Sequence, residues 1–329
     1  MDTVNKVRHA IGINSGDNQF TSPDVVSNRQ GSVLERLNAI QAFLGESAGR
    51  DWFLDAADGD NDNSGQNWDA PKLTMAAVFA LLSSGDRVFF KGKVTEQLTT
   101  PKNVFDVTVI GVGNRPRHID GTPKAGSEST AMWTIPAIAA STPLCIVQQQ
   151  GWKFVNFLVA GPTDAACFQL LRDAGAGDLE KDGSHAEFWN IRGASGQDFI
   201  EQSGGCGHVG IYGCFVTSMT GYVIKSTVGA GVGYPIRWEL IGNRFLDNTN
   251  MLKMVCTGWR IEGNSFISTT TEILDTDAGD ATAGKNVVVN NYFNVAAADF
   301  DPDGNVEGNS TDVWSNFLLD VIETGVPAN

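Results

Sequence analysis

The richest run of metal-ligating side chains is Asp299-Phe300-Asp301-Pro302-Asp303-Gly304, with Asn305 and Glu307 behind it. Carboxylates at alternate positions ahead of a glycine match the opening of a calcium loop, where hard oxygens converge on the ion and glycine permits the sharp turn. Asp299, Asp301, Asp303 and Glu307 are therefore candidate ligands of a structural calcium, although Ser310 stands where a bidentate glutamate would close such a loop. Asp58, Asp60 and Asp62 form a second, sparser run. For acid–base chemistry the candidates are Asp198 and Glu201, in the segment Gln197-Asp198-Phe199-Ile200-Glu201, and Asp247, just after the turn at Phe245. Two or three carboxylates on one face can cleave a glycosidic bond, one giving a proton while another acts as base or nucleophile. The plainer reading makes these three solvated turn or edge residues, and that reading is the one expected.

Other chemistry is poorly provided for. The four histidines, His9, His118, His185 and His208, lie far apart, and no Ser- or zinc-hydrolase motif accompanies them. His208 stands two residues from Cys206 without a third group to orient it, so a packed thiol and a turn histidine are expected. Glycine-rich residues 174–178 and 228–233 lack the Lys and hydroxyl of a phosphate loop and read as turns. No cofactor beyond the calcium candidate is implied.

The elements that would position these residues announce themselves by repetition. Trp238-Glu239-Leu240-Ile241-Gly242-Asn243-Arg244-Phe245 recurs 21 residues later as Trp259-Arg260-Ile261-Glu262-Gly263-Asn264-Ser265-Phe266. Asn286 to Phe293 follows after another 27 residues, and Val306-Glu307-Gly308-Asn309-Ser310 after 18 more. Superposed, Leu240, Ile261, Val288 and Val306 form one column, Asn243, Asn264, Asn291 and Asn309 a second, and Phe245, Phe266 and Phe293 a third. Such columns predict a parallel β-solenoid, in which each coil buries its apolar face only by stacking on the next. Fainter copies at Trp152 to Phe157 and Phe188 to Ile191 carry the coils back toward residue 90. Glu239 and Arg260 share a column and are expected to pair across coils on the outer surface.

Ahead of the coils stand two helices and an arm. Residues 1–31 are polar and aperiodic, an extended arm. Residues 32–50 hold a short helix opened by the capping box of Ser32 and Glu35, with Val33, Leu37, Ile40 and Leu44 spaced as an oligomer seam that favours three or four strands. Residues 51–84 read as an acidic loop and a second, largely buried helix capped by Asp69 and opened at Pro71. Residues 85–329 are the solenoid shaft.

This order of oligomerising helix, capping helix, first strand after Gly85-Asp86 and then Gly-Asn-x-Phe coils resembles the right-handed parallel β-helix of the pectin-lyase-like superfamily, over about residues 50–310. The opening from Ser32 through Leu81 also resembles bacteriophage virion proteins of the tailspike, head-fibre and capsid-decoration type. The resemblance implies an all-β, single-stranded right-handed β-helix, assembled as a homotrimer and anchored by its N-terminal arm to the major capsid protein or another virion protein. In that superfamily, lyases use carboxylates that bind calcium beside an Arg or Lys base.

Composition narrows the classes. The 329 residues carry a net charge of -15, with 38 acidic against 23 basic side chains. Residues 51–69 hold six Asp and no base, and residues 272–329 hold eleven acids and Lys285, so the rest of the chain is nearly neutral. An acidic chain repels phosphate backbones and anionic lipid, which sets aside nucleic acid and membranes as partners. Five cysteines, Cys145, Cys167, Cys206, Cys214 and Cys256, lack zinc spacing and an even count, and read as buried thiols of a protein made in the reducing host cytoplasm. The sequence thus leads to a non-enzymatic structural virion protein, a trimeric capsid decoration protein or head fibre anchored by its N-terminal arm, with a phage tailspike or tail fibre that binds or cleaves host surface polysaccharide as the alternative.

Overall fold

The chain divides into two units, Met1–Gly49 and Arg50–Asn329. The computed structural model describes residues 49–113, 131–136, 141–173, 181–227, 236–253, 258–267, 272–275, 286–294, 311–314, 316–318 and 322–323. The arm, the seam residues Val33, Leu37, Ile40 and Leu44, and the calcium candidates Asp299, Asp301, Asp303 and Glu307 all lie outside the described residues.

The second unit is a right-handed parallel β-helix, as the repeats predict. Among the described residues, three sheets run along the coils. Sheet 1 has ten strands, from Asp51–Asp55 and Arg87–Lys91 through Glu187–Trp189, Gly210–Tyr212 and Glu239–Ile241 to Thr311–Trp314. Sheet 2 also has ten, from Lys93–Thr95 to Ile322–Glu323, and sheet 3 has seven, from Leu98–Thr99 to Glu272–Asp275. Among the described strands every pairing is parallel except the last in sheet 2, where Asn316–Leu318 and Ile322–Glu323 run antiparallel, and the register slips once, between Gly193 and Ser195 against Leu158–Ala160.

The alternation of each strand decides what faces in. Leu240 pairs with Ile261 and Ile261 with Val288, and all three are buried. Phe245 sits over Phe266, with ring centroids 5.2 Å apart, and Phe154 over Phe188 at 5.3 Å. Trp238 and Trp259 are buried too, as their inward parity requires. This continuous apolar column is the main stabilising term, because a single coil has no second layer to bury its face against.

At the corner between sheets 1 and 2 the asparagine column becomes a buried ladder. Asn243 Nδ2 donates to Asn264 Oδ1 at 2.9 Å, and Asn264 Nδ2 to Asn291 Oδ1 at 3.0 Å. Each amide also donates to a carbonyl, of Ile211, Leu240 and Ile261 in turn. A buried amide costs little only when its polar atoms are all engaged, and stacking identical amides achieves that.

Several sequence expectations need correction. Residues Asp51–Asp55 form a strand rather than loop, lying parallel to Arg87–Lys91, because Trp52 and Leu54 point into the core between polar or half-buried neighbours. The capping helix is the single span Met75–Phe79, and its N-cap is Thr74, not Asp69. The Glu96 carboxylate, reaching from the next turn of chain, takes the Met75 and Ala76 N–H groups at 2.7 and 2.8 Å, work that a helix N-terminus leaves to any nearby anion. The strand stacked on Asn286–Val289 is Thr311–Trp314, so Val313 occupies the column place expected for Val306, which lies outside the described residues. Arg260 pairs with Glu262 of its own strand, while Glu239 accepts from the Tyr212 hydroxyl at 2.7 Å; aromatic competition displaces the cross-coil ion pair.

Candidate active site on sheet 3

Sheet 3 carries an outward column of polar residues: Gln169, Glu201, Lys225 and Lys253 occupy equivalent places on successive coils. Alternation puts them there. Ile200 and Gln202 face the core and Glu201 faces out, just as Ile224 and Ser226 flank Lys225. At the coil spacing of about 4.8 Å, neighbouring side chains must interact. Glu201 is accordingly held from both sides, accepting from Lys225 Nζ at 3.4 Å and from Gln169 Nε2 at 3.4 Å.

Asp198 comes to the same place from the corner before the strand. It is 2% exposed, and its Oδ1 accepts the Tyr222 backbone N–H at 2.5 Å. That approach exists because residue 221 is glycine: a Cβ there would fall 2.4 Å from the Asp198 oxygen. Its other oxygen lies 4.0 Å from Lys225 Nζ. Burial raises the proton affinity of Asp198 above the ordinary carboxylate range, the Tyr222 N–H and the Lys225 ammonium oppose that rise, and the nearby Glu201 charge adds to it. Two carboxyl groups thus share one lysine in unlike surroundings, one desolvated and one half-buried. Such a pair divides the acid and base roles between its members.

The structure therefore brings Asp198 and Glu201 together and leaves Asp247 apart. Asp247 is an exposed corner residue with φ of 51°, two coils further on, whose backbone carbonyl accepts from Ser218. Gln169 and Lys225 were missed in the sequence. The signal for them was a repeat in sheet 3 as regular as the one around Trp238, since Phe168-Gln169-Leu170, Ile200-Glu201-Gln202 and Ile224-Lys225-Ser226 superpose.

Other sequence candidates fall into structural places. Asp58, Asp60 and Asp62 are exposed on a loop tied by Lys72 Nζ, which donates to the Asn61 carbonyl at 2.7 Å. Among the described residues no three His, Cys, Asp or Glu side chains converge to hold a metal. Cys206 is buried, which pushes its thiol up to about 12, so it cannot serve as a nucleophile. His208 is a corner residue stacked flat on His185, centroids 4.7 Å apart.

No protein-family model matches the chain, and no curated protein matches it in sequence. Solved structures do. A GH136 lacto-N-biosidase from Eubacterium ramulus superposes with a TM-score of 0.54 at 12% identity, covering 90% of this chain and 61% of that one. A pectin methylesterase from carrot gives 0.49 at 13% identity over 84% and 85%, and a rhamnogalacturonan lyase 0.44 at 12% over 84% and 90%. The likeness is one of fold. This chain spans about three fifths of the biosidase. The expectation of a non-enzymatic protein is corrected by this likeness, because the β-helix is shared with a protein that is an enzyme by name.

Proposed function

We propose that the β-helix cleaves glycan chains laid across sheet 3, with Asp198 and Glu201 as the working carboxyl groups. The observation that carries this reading is the pairing of a desolvated acid with a solvent-reachable carboxylate around Lys225. Asp198, biased toward its protonated form, supplies the proton to the departing sugar oxygen. Glu201, fixed by Lys225 and Gln169, acts as base or nucleophile on the opposite side. Substrate must draw the Lys225 ammonium aside to reach Asp198, and losing that cation strengthens the acid's hold on its proton until transfer.

The setting proposed for this activity is the phage tailspike of the sequence resemblance: a homotrimer made in the host cytoplasm, joined through the seam at Val33, Leu37, Ile40 and Leu44, anchored by residues 1–31 to another virion protein and directed at host surface glycan. A structural calcium at Asp299, Asp301, Asp303 and Glu307 belongs to the same proposal.

The test is to incubate the purified full chain with a panel of bacterial surface polysaccharides and measure new reducing ends alongside ultraviolet absorbance of unsaturated products. Reducing ends without unsaturation, lost in Glu201→Gln, support hydrolysis by the pair. Unsaturated product would move the base role to Lys225, and release undiminished in Glu201→Gln would remove the site from the reaction.

A further inference from the structure

We infer that the outer face of sheet 1 is a second glycan-binding surface, separate from the carboxyl pair on sheet 3 and suited to neutral sugar chains. Its centre is Trp189, 42% exposed in the middle of the shaft, stacked on Tyr212 with centroids 4.1 Å apart and planes 26° from parallel. An exposed tryptophan normally swings through several rotamers. This one is fixed: its Nε1 donates to Glu187 Oε2 at 2.7 Å, and the Tyr212 hydroxyl donates to Glu239 Oε2 at 2.7 Å. Tyr212 lies back across its own strand over Gly210, where any Cβ would come within 2.3 Å of the ring. The two rings therefore form a rigid stack, each covering one face of the other, with a carboxylate at each margin.

The platform runs into a cleft of about 440 Å³ lined by Phe105, Asp106, Gln150, Lys153, His185 and Glu187. Glu187 belongs to both, its second oxygen taking Lys153 Nζ at 3.0 Å. Val155 precedes Trp189 in the same outward column and Ile241 follows Tyr212, and Phe53, Phe89 and Ile110 carry the apolar strip back to the first coil. Seven coils at about 4.8 Å make a strip of about 29 Å, which fits a chain rather than a single sugar.

The chemistry names the occupant. A pyranose offers an apolar C–H face and a rim of hydroxyls; the first stacks on fixed aromatic rings, and the second donates to carboxylate and amide oxygens at the edge. Glu187, Glu239 and Asp106 would repel uronate or sulfate groups, and Lys153 is already engaged by Glu187, so the chain is neutral. Rings pinned before binding lose little entropy on contact, as a preformed glycan site requires.

The test uses the full chain in the Glu201→Gln background, so that no substrate is consumed, with neutral and uronate-rich oligosaccharides titrated by calorimetry and intrinsic tryptophan fluorescence. Neutral chains should bind with a fluorescence change, and Trp189→Ala should weaken them by about tenfold or more. Tyr212→Phe, which keeps the fold and removes only the link to Glu239, should weaken them severalfold. Equal affinity in Trp189→Ala, or binding of uronate chains in preference to neutral ones, overturns the inference. So does a change of oligomeric state in Trp189→Ala with glycan affinity intact, which would make the strip a subunit interface. Binding centred on Trp189 in a protein that cleaves nothing would sink the proposed activity and leave this surface standing.

Discussion

The corner between sheets 1 and 2 and the outer column of sheet 3 are built on the same coil spacing and use it in opposite ways. At the corner, Asn243, Asn264 and Asn291 are identical, buried and bonded in one repeating pattern. On sheet 3, Gln169, Glu201 and Lys225 change from coil to coil before Lys253 repeats the lysine, sit partly in solvent, and are joined by a buried acid that breaks in from the side. In a solenoid a structural need recurs each time the chain comes round, so its solution repeats. A chemical need arises once, and it shows as a break in the column. The same reading picks out Trp189 and Tyr212, aromatic residues pinned by hydrogen bonds in an outward column that carries plain apolar side chains at Ile110, Val155 and Ile241 and a second stacked pair, Phe53 and Phe89, in its first coils.

The sharpest way to break this contrast is to neutralise one residue on each side. Glu201→Gln keeps the shape of a half-exposed side chain and removes its charge, so glycan cleavage should fall by about 100-fold or more while the melting temperature stays within a degree or two. Asn264→Ala does the reverse. It strips four buried hydrogen bonds, among them the one that the Asn243 backbone N–H gives to the Asn264 side chain, and should cost about 3 kcal/mol, or about 5–10 °C in thermal melts. A Glu201→Gln variant that melts like Asn264→Ala would show the sheet 3 column to be structural after all.

Legibility in the sequence followed the same divide. The β-helix was readable because Leu240, Ile261 and Val288 and their asparagines repeat within a few residues' difference in spacing. The next coil was misplaced because Val306 and Asn309 imitate the pattern, whereas Val313 holds the register. Asp198 and Glu201 could be nominated as a pair, being three residues apart. Lys225 could not be joined to them from spacing alone, because it lies 24 positions after Glu201 and the chain between must first be wound into one coil. Glu96 capping a helix 20 residues before it was hidden for the same reason. What a solenoid brings together across coils becomes visible only once the register is known.

Asp198 offers a finer cut, through pH. Its folded proton affinity is raised mainly by burial. Below the unfolded carboxylate's range, about pH 4, both states are protonated and the site costs nothing; as pH rises through the folded value the buried group must ionise, and stability is lost. Asp198→Asn keeps an oxygen for the Tyr222 N–H and removes that loss. The variant should therefore match the parent near pH 3.5 to 4, by about that bound, and melt progressively higher than it as pH rises, while cleavage falls. Equal pH slopes in the two proteins would mean that Lys225 fully compensates the buried charge.

The smallest effect is expected at the opposite corner, and its sign is reversed. His208 is stacked on His185 beside Arg237, and its proton affinity is lowered by burial first, then by His185 and Arg237. A depressed histidine contributes its stability above the unfolded value of about 6.5 and loses it as pH falls through the folded value, because the unfolded chain takes up the proton first. His208→Gln keeps a planar polar side chain over His185 and cannot titrate. Its melting temperature should fall less than the parent's between about pH 7 and 5, by a degree or so, since the site is partly solvated and the cost is screened. Asp198 and His208 are thus both corner residues of one coil geometry, yet one should make the protein lose stability with rising pH and the other with falling pH. Measuring both variants across the same range separates the two burial penalties, and identical curves would mean that neither corner holds its titratable group in the state the structure assigns.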